Sequence, residues 1–212
     1  MHTFFIDITA AMQSHLWFYL TTIGLVSLCI GSFLNVVIYR LPLMMQKEWQ
    51  TECRLLLADE LTSPKVKQTT EHTTDTFNLV KPNSCCPKCK AAIKPWQNIP
   101  IISWLLLKGK CATCNNPISV RYPLVEAITA ILSLVVAYTF GATEQALLYV
   151  AITWALVALT FIDIDHMLLP DQLTLPLVWL ALIAAVMGVT ISPSDAIIGA
   201  ACGYLSLWSM FW

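Results

Sequence analysis

Apolar residues in this chain are gathered into long blocks instead of alternating with polar ones. The first block runs from Leu16 to Tyr39 without a Lys, Arg, Asp or Glu. Four more follow one another closely, roughly Pro123–Phe140, Gln145–Ile162, Gln172–Ile191 and Ala196–Trp212. Short polar breaks separate these four: 141–144, Asp163 to Asp171, and 192–195. A bilayer core about 30 Å thick is crossed by a helix of about 20 apolar residues, and every block is of that order. The pattern predicts an all-α polytopic membrane protein with about five transmembrane helices, at 16–39, 123–140, 145–162, 172–191 and 196–212. A soluble bundle with the same five runs would have almost no charged face to turn to water. Residues 1–15 contain Asp7 but no Lys or Arg, so the first block reads as a retained helix, not a cleaved signal peptide.

Composition sharpens this picture. The 212 residues are 57% hydrophobic and 12% charged, against about 25% charged in soluble domains. All twelve Lys and Arg lie between Arg40 and Arg121. By the positive-inside rule, residues 40–121 form a cytoplasmic domain between helices 1 and 2, and residues 1–15 are periplasmic. The same alternation brings the Asp163–Asp171 break to the cytoplasmic face. Within the basic region, residues 62–83 are polar and Thr-rich with no apolar period, which marks an insert or linker. The net charge of −1 gives no bulk field for nucleic acid. The lysines around the cysteines are explained by topology, so no nucleic-acid partner is expected.

Four of the eight cysteines form two pairs, Cys86-Pro-Lys-Cys89 and Cys111-Ala-Thr-Cys114, with 21 residues between them. Two such turns offer four thiolates, the donor set of a closed structural zinc site. A cytoplasmic domain keeps its thiols reduced, and a domain this small gains from a metal staple. A redox pair is the alternative. Cys29 and Cys202 lie in apolar runs and read as small buried hydrophobes. His2, His15 and His72 have no ligand spacing.

The segment Phe161-Ile-Asp-Ile-Asp-His-Met-Leu-Leu-Pro-Asp171 sets three carboxylates and a histidine beside the bilayer. Ionisable groups there are functional candidates. Asp171 after Pro170 suits a helix N-cap. Asp163 sits at a helix C-terminus, where the macrodipole disfavours an acid, so it has less structural reason to be present. A pair of carboxylates sharing one proton can activate water and protonate a carbonyl. A divalent cation on Asp163, Asp165 and His166 would need an irregular turn, because i and i+2 diverge on a helix. Asn35 and Glu126 are polar groups in apolar helices and need partners. For Glu126, helix–helix hydrogen bonding and substrate recognition both stand open. Trp96, Trp104 and Tyr122 read as packing and interface anchors, and Arg40, Lys94 and Arg121 as topology determinants.

At this point the motifs resemble those of the type IV prepilin leader peptidases and N-methyltransferases, membrane aspartic proteases of the GxGD type. The resemblance is carried by Gly31-Ser-Phe-Leu-Asn-Val-Val-Ile-Tyr-Arg-Leu-Pro42, by Cys86–Cys89 with Asn98-Ile-Pro-Ile-Ile-Ser-Trp104, and by Gly109-Lys-Cys-Ala-Thr-Cys114 with Ile118-Ser-Val-Arg-Tyr-Pro-Leu-Val-Glu126. It continues in Asp163 with Leu168-Leu-Pro-Asp171 and Leu173-Thr-Leu-Pro-Leu177. It implies an enzyme of the bacterial inner membrane. Such an enzyme cleaves the basic leader of prepilins or pseudopilins on the cytoplasmic side and methylates the new N-terminus with S-adenosylmethionine. Membrane lipids are the other expected partner. The resemblance makes Asp163 the first catalytic aspartate, with Asp165 its competitor, and Cys86, Cys89, Cys111 and Cys114 the zinc ligands. Glu126 falls in a family motif that can bear on substrate binding.

One departure stands out. The second catalytic aspartate of such proteins lies in a Gly-x-Gly-Asp motif, and no Gly-Asp pair occurs in these 212 residues. Residues 122–212 are therefore expected to be a peptidase membrane domain that is incomplete at its C-terminus, without peptidase activity alone. A methyltransferase-only fragment and a non-enzymatic zinc-stabilised scaffold of a pilus or secretion machine are the alternatives.

Overall fold

The computed structural model describes residues 15–60 and 77–211. The segment before His15, most of the expected polar insert and Trp212 lie outside the described residues. The described chain is helical, with two isolated antiparallel bridges, Cys85 to Ala92 and Lys110 to Pro117. In chain order the α-helices are α1 (Leu16–Glu60), α2 (Ile102–Leu106), α3 (Arg121–Phe140), α4 (Glu144–His166), α5 (Asp171–Val186) and α6 (Pro193–Phe211), with a 3₁₀ turn at Pro95–Asn98 before α2.

Helix α1 does not stop where its apolar run stops. It continues through the buried Pro42 to Glu60, 45 residues in all. The extension is rich in Leu, Met, Gln, Lys and Glu, which lose little rotamer freedom in a helix. Among the described residues three helices are long and apolar enough to cross a membrane: Leu16–Leu57 within α1, α3 and α4. Helix α5 covers 16 residues and is shorter. The apolar run 172–191 predicts a longer helix, but Gly188 takes φ +72. The Gly188 N–H then donates to the Ala185 carbonyl and the Val189 N–H to that of Ala184. That is a Schellman ending, which glycine at this position favours. Helix α6 spans 19 residues.

Helices α1, α3 and α4 form the body of the molecule. Their packing depends on small residues. A Cβ added to Gly31 on α1 would lie 2.8 Å from the Glu126 Cα on α3, so the two backbones meet there. One buried cluster joins Leu34, Val37, Ile38 and Leu41 of α1 with Val125 of α3 and Val157, Ala158 and Ile162 of α4. Nearer the other end, Tyr19 and Ile23 pack with Ala137 and Val150. Between the clusters the Trp154 Nε1–H donates to Ser133 Oγ at 2.9 Å and Ser27 Oγ at 3.2 Å. One indole thereby ties all three helices together. Cys29 and Cys202, expected to be buried, are both exposed. In a lipid-facing helix an apolar thiol gains nothing from burial inside protein.

Candidate active site and metal centre

The cysteines sit on two turns of the same design. In the first, the Lys90 N–H donates to the Cys86 carbonyl and the Cys86 N–H to that of Ala91. In the second, the Asn115 N–H donates to the Cys111 carbonyl and the Cys111 N–H to that of Asn116. Lys90 and Asn115, each just after a second cysteine, take φ of 58° and 55°. The bridges Cys85–Ala92 and Lys110–Pro117 close both turns at equivalent positions.

Folded against each other, the turns bring the four Sγ atoms within 4.8 Å of one another. Cys86 Sγ and Cys114 Sγ are 3.8 Å apart. A tetrahedron with zinc–sulfur arms of about 2.3 Å has edges of about 3.8 Å, so the pair stands at the separation one zinc ion requires. The backbone amides of Cys89 and Lys88 hold the Cys86 thiol low, to about 6. Those of Cys114 and Thr113 lower Cys111. At Cys114 the amide of Asn116 pulls down, but burial and the three neighbouring sulfurs together push the thiol up to about 11. Four thiols this close cannot all ionise without a cation among them, and a divalent ion would supply that charge.

The domain is fastened to the membrane helices at two places, by Arg40 and by Glu126, and Asn35 ties α1 to α3 beside them. Arg40, buried on α1, donates to the carbonyls of Asn78, Leu79 and Pro82. Asn35 on α1 donates through Nδ2 to the Tyr122 carbonyl at 3.1 Å. Glu126 on α3 is 7% exposed, and its Oε2 accepts the Ile101 N–H at 2.7 Å. Ile101 has φ 58° and ψ −48°, a strained backbone for a β-branched residue. The carboxylate holds that strained residue in place. Position Gly31-Ser-x-x-Asn35 thus serves the join: Gly31 lets α3 approach, and Asn35 bonds its first turn.

At the same end of the body, α4 runs past its apolar stretch to His166, and Met167 ends it in the left-handed conformation. Asp163 and Asp165 therefore lie on the last turn of a regular helix, both exposed. Two residues apart, their side chains leave the axis about 200° apart, so they do not converge. Asp165 forms an ion pair with Arg121 at the start of α3, and the Arg121 guanidinium lies over the Phe161 ring. Asp163 has no such partner in the same clamp. Pro170 occupies the N-cap position of α5, and Asp171 is its first helical residue instead of its cap. The macrodipole still favours an acid there.

Sequence reasoning brings out Asp163, Glu126 and the cysteines. It misses the pairing of Arg121 with Asp165 and the use of Arg40 as a backbone clasp. Both arginines were already explained as loop charges, and nothing local distinguishes them from the lysines nearby.

Comparison with known proteins follows the same order along the chain. The family model for the Bacterial Peptidase A24 N-terminal domain matches residues 25–140, and that for the Type IV leader peptidase family matches residues 150–212. This chain belongs to the type IV leader peptidase family. It is 50% identical over 196 residues to the prepilin leader peptidase/N-methyltransferase of Aeromonas salmonicida, covering 92% of this chain and 65% of that protein. Identity to the protein of the same description from Pseudomonas aeruginosa is 52% over 202 residues, 95% of this chain and 66% of that one. For Legionella pneumophila it is 45% over 201 residues, 95% and 67%. The chain spans about two-thirds of the length of the curated relatives it matches. No solved structure matches it.

One cleft of about 370 Å³ opens between α4, α5 and α6, lined by Tyr149, Ile152, Val178, Leu182 and Ala196 among others. Asp195 is its one acidic group. Such an apolar wall does not suit S-adenosylmethionine, whose nucleoside and amino acid ends need several polar partners.

Proposed function

We propose that this chain carries the first catalytic carboxylate and the zinc domain of a prepilin leader peptidase and N-methyltransferase of the bacterial inner membrane. The observation that carries the reading is the end of α4. Asp165 is tied to Arg121, and Asp163 is left exposed beside it, facing away from that ion pair. Asp163 is then the group available to share a proton with a second carboxylate and act on water or on a scissile carbonyl. Asp165 acts as a positioning residue for that turn. Glu126 is a positioning residue too, because its carboxylate already bonds the Ile101 amide.

Cys86, Cys89, Cys111 and Cys114 are the zinc ligands in this reading. A four-thiolate site leaves the metal no open position, so its part is structural. The basic segment 40–121 is cytoplasmic, which sets Asp163 on the side where basic leaders are cut. Prepilins or pseudopilins are the substrates and S-adenosylmethionine is the methyl donor. The relatives named prepilin leader peptidase/N-methyltransferase support both activities.

The test is cleavage of a purified prepilin in detergent by this chain, alone and with a fragment of a relative that contains Gly-x-Gly-Asp. The reading expects cleavage in the mixture, abolished by Asp163→Asn and retained in part by Asp165→Asn. Cleavage by the chain alone would mean that one of its own carboxylates completes the dyad. Cleavage that survives Asp163→Asn in both settings would sink the assignment.

A further inference from the structure

The short helix α2 is built inside out. Its inward positions are Ser103 and Trp104, with Leu107 just beyond them. The Ser103 hydroxyl donates to the Trp96 carbonyl at 2.6 Å, and the Trp104 Nε1–H donates to the Ile118 carbonyl at 3.2 Å. Its outward positions are Ile102, Leu105 and Leu106, exposed to 56%, 60% and 77%. The spacing i, i+3, i+4 makes these three one stripe. Ile99 and Trp96 extend the stripe and are exposed as well. A domain in water would turn the hydroxyl out and the leucines in.

The level of this stripe is fixed. Ile101, just before α2, is bonded to Glu126. Glu126 lies five residues into α3, or about 7–8 Å along a helix that starts at Arg121. The apolar stripe is thus tied to the first turns of a membrane-spanning helix, where Tyr122 and Leu124 of α3 are exposed as well. Charge completes the setting. From Phe77 to Val125 the chain has Lys81, Lys88, Lys90, Lys94, Lys108, Lys110 and Arg121 and no Asp or Glu. Lys94 lies over the Trp96 ring at 4.9 Å, and Lys108 and Lys110 follow α2 directly. An apolar stripe flanked by lysines, with an aromatic ring at its edge, is the composition of elements that lie in the headgroup region of anionic bilayers.

We propose that residues 96–106 form a membrane foot. In it Ile99, Ile102, Leu105 and Leu106 enter the leaflet beside α3, and Lys94, Lys108 and Lys110 meet anionic lipid headgroups. The foot rests on the membrane-spanning reading of α1, α3 and α4 and not on the peptidase reading. It holds the zinc domain flat against the bilayer, with Glu126 and Ile101 as the strut that sets its height.

The experiment places a benzophenone amino acid at Leu106 of the full chain, with a control at the exposed Thr113. The protein is reconstituted in nanodiscs of phosphatidylcholine with or without phosphatidylglycerol. Retained zinc in each purified variant reports a folded domain, and a probe at Leu105 provides a second placement. Irradiation is expected to give lipid adducts at Leu106 and Leu105 at least fivefold above Thr113. In phosphatidylglycerol discs, Lys94→Gln with Lys108→Gln and Lys110→Gln is expected to lower that yield at least twofold. Lipid adducts no higher than at Thr113 would overturn the foot. So would adducts formed with a second copy of the chain, or with an added apolar peptide, in place of lipid. An adduct yield unchanged by the three lysine substitutions would overturn the anionic headgroup contact.

Discussion

Glu126 and Arg121, five positions apart on α3, serve opposite faces of the same junction. Glu126 caps a strained amide in the zinc domain, and Arg121 holds the last turn of α4. Replacing Glu126 with Ala leaves the Ile101 N–H without its acceptor and is expected to cost about 1–3 kcal/mol. Glu126→Gln keeps an acceptor and should cost less; urea denaturation in detergent, followed by zinc release, compares the two. For the clamp, Arg121→Gln and Asp165→Asn are each expected to lower prepilin cleavage about tenfold by letting the turn bearing Asp163 move. Because both remove one interaction, the double variant should be no worse than either single one; additive losses in kcat/KM would argue for separate roles. Much of this was half legible. That Asn35 and Glu126 need partners follows from a polar group in an apolar helix. Which partners they find does not, because both accept or donate to backbone atoms of distant segments, and a backbone atom has no sequence signature. The arginines were harder still, since a loop charge required by topology needs no further contact to explain it.

At the scale of the elements, the close approach of α1 and α3 gives a direct test. Gly31→Ala would set a methyl 2.8 Å from the Glu126 Cα and 3.2 Å from the Thr129 Cβ. The helices must separate, at a cost of about 1–3 kcal/mol, which thermal unfolding in detergent would show as a lower midpoint. In the zinc domain, Gly109 combines φ +66 with a would-be Cβ only 2.9 Å from the Trp104 ring. The cysteine turns predict a pH response. Cys86 is already ionised at pH 7 in the free site, because its pKa is lowered to about 6, whereas Cys114, raised to about 11, is protonated. Zinc must therefore displace protons, and its affinity should fall as pH falls from 8 to 6; competition with a chelator across that range measures it. Cys86→Ser or Cys111→Ser should abolish retained zinc by mass spectrometry. The helices were legible in the sequence because apolar runs are long and charge-free. Their ends were less so. The extension of α1 has no apolar run to announce it, and the early stop of α5 depends on a single glycine inside an otherwise continuous apolar stretch.

For the molecule as a whole, rigidity is unevenly shared. Helices α1, α3 and α4 bury two apolar clusters and share the Trp154 bonds, while α5 and α6 pack mainly on each other and leave most of their side chains exposed. Amides in α5 and α6 are expected to exchange with deuterium well before those of the three-helix body in detergent; uniform protection would contradict that division. The division itself could not be read from hydropathy, since all these blocks are similarly apolar. What separates them is which faces find neighbours. The two cysteine turns, finally, repeat one eight-residue frame at 85–92 and 110–117 with matching hydrogen bonds. A frame used twice divides the domain's evolutionary freedom. One residue gained or lost inside either copy would put a sulfur out of step, yet the span from Ile93 to Gly109 can be recast without disturbing the frames. The apolar and basic positions of the proposed foot can thus change with the lipid they would meet while the clasp stays as it is.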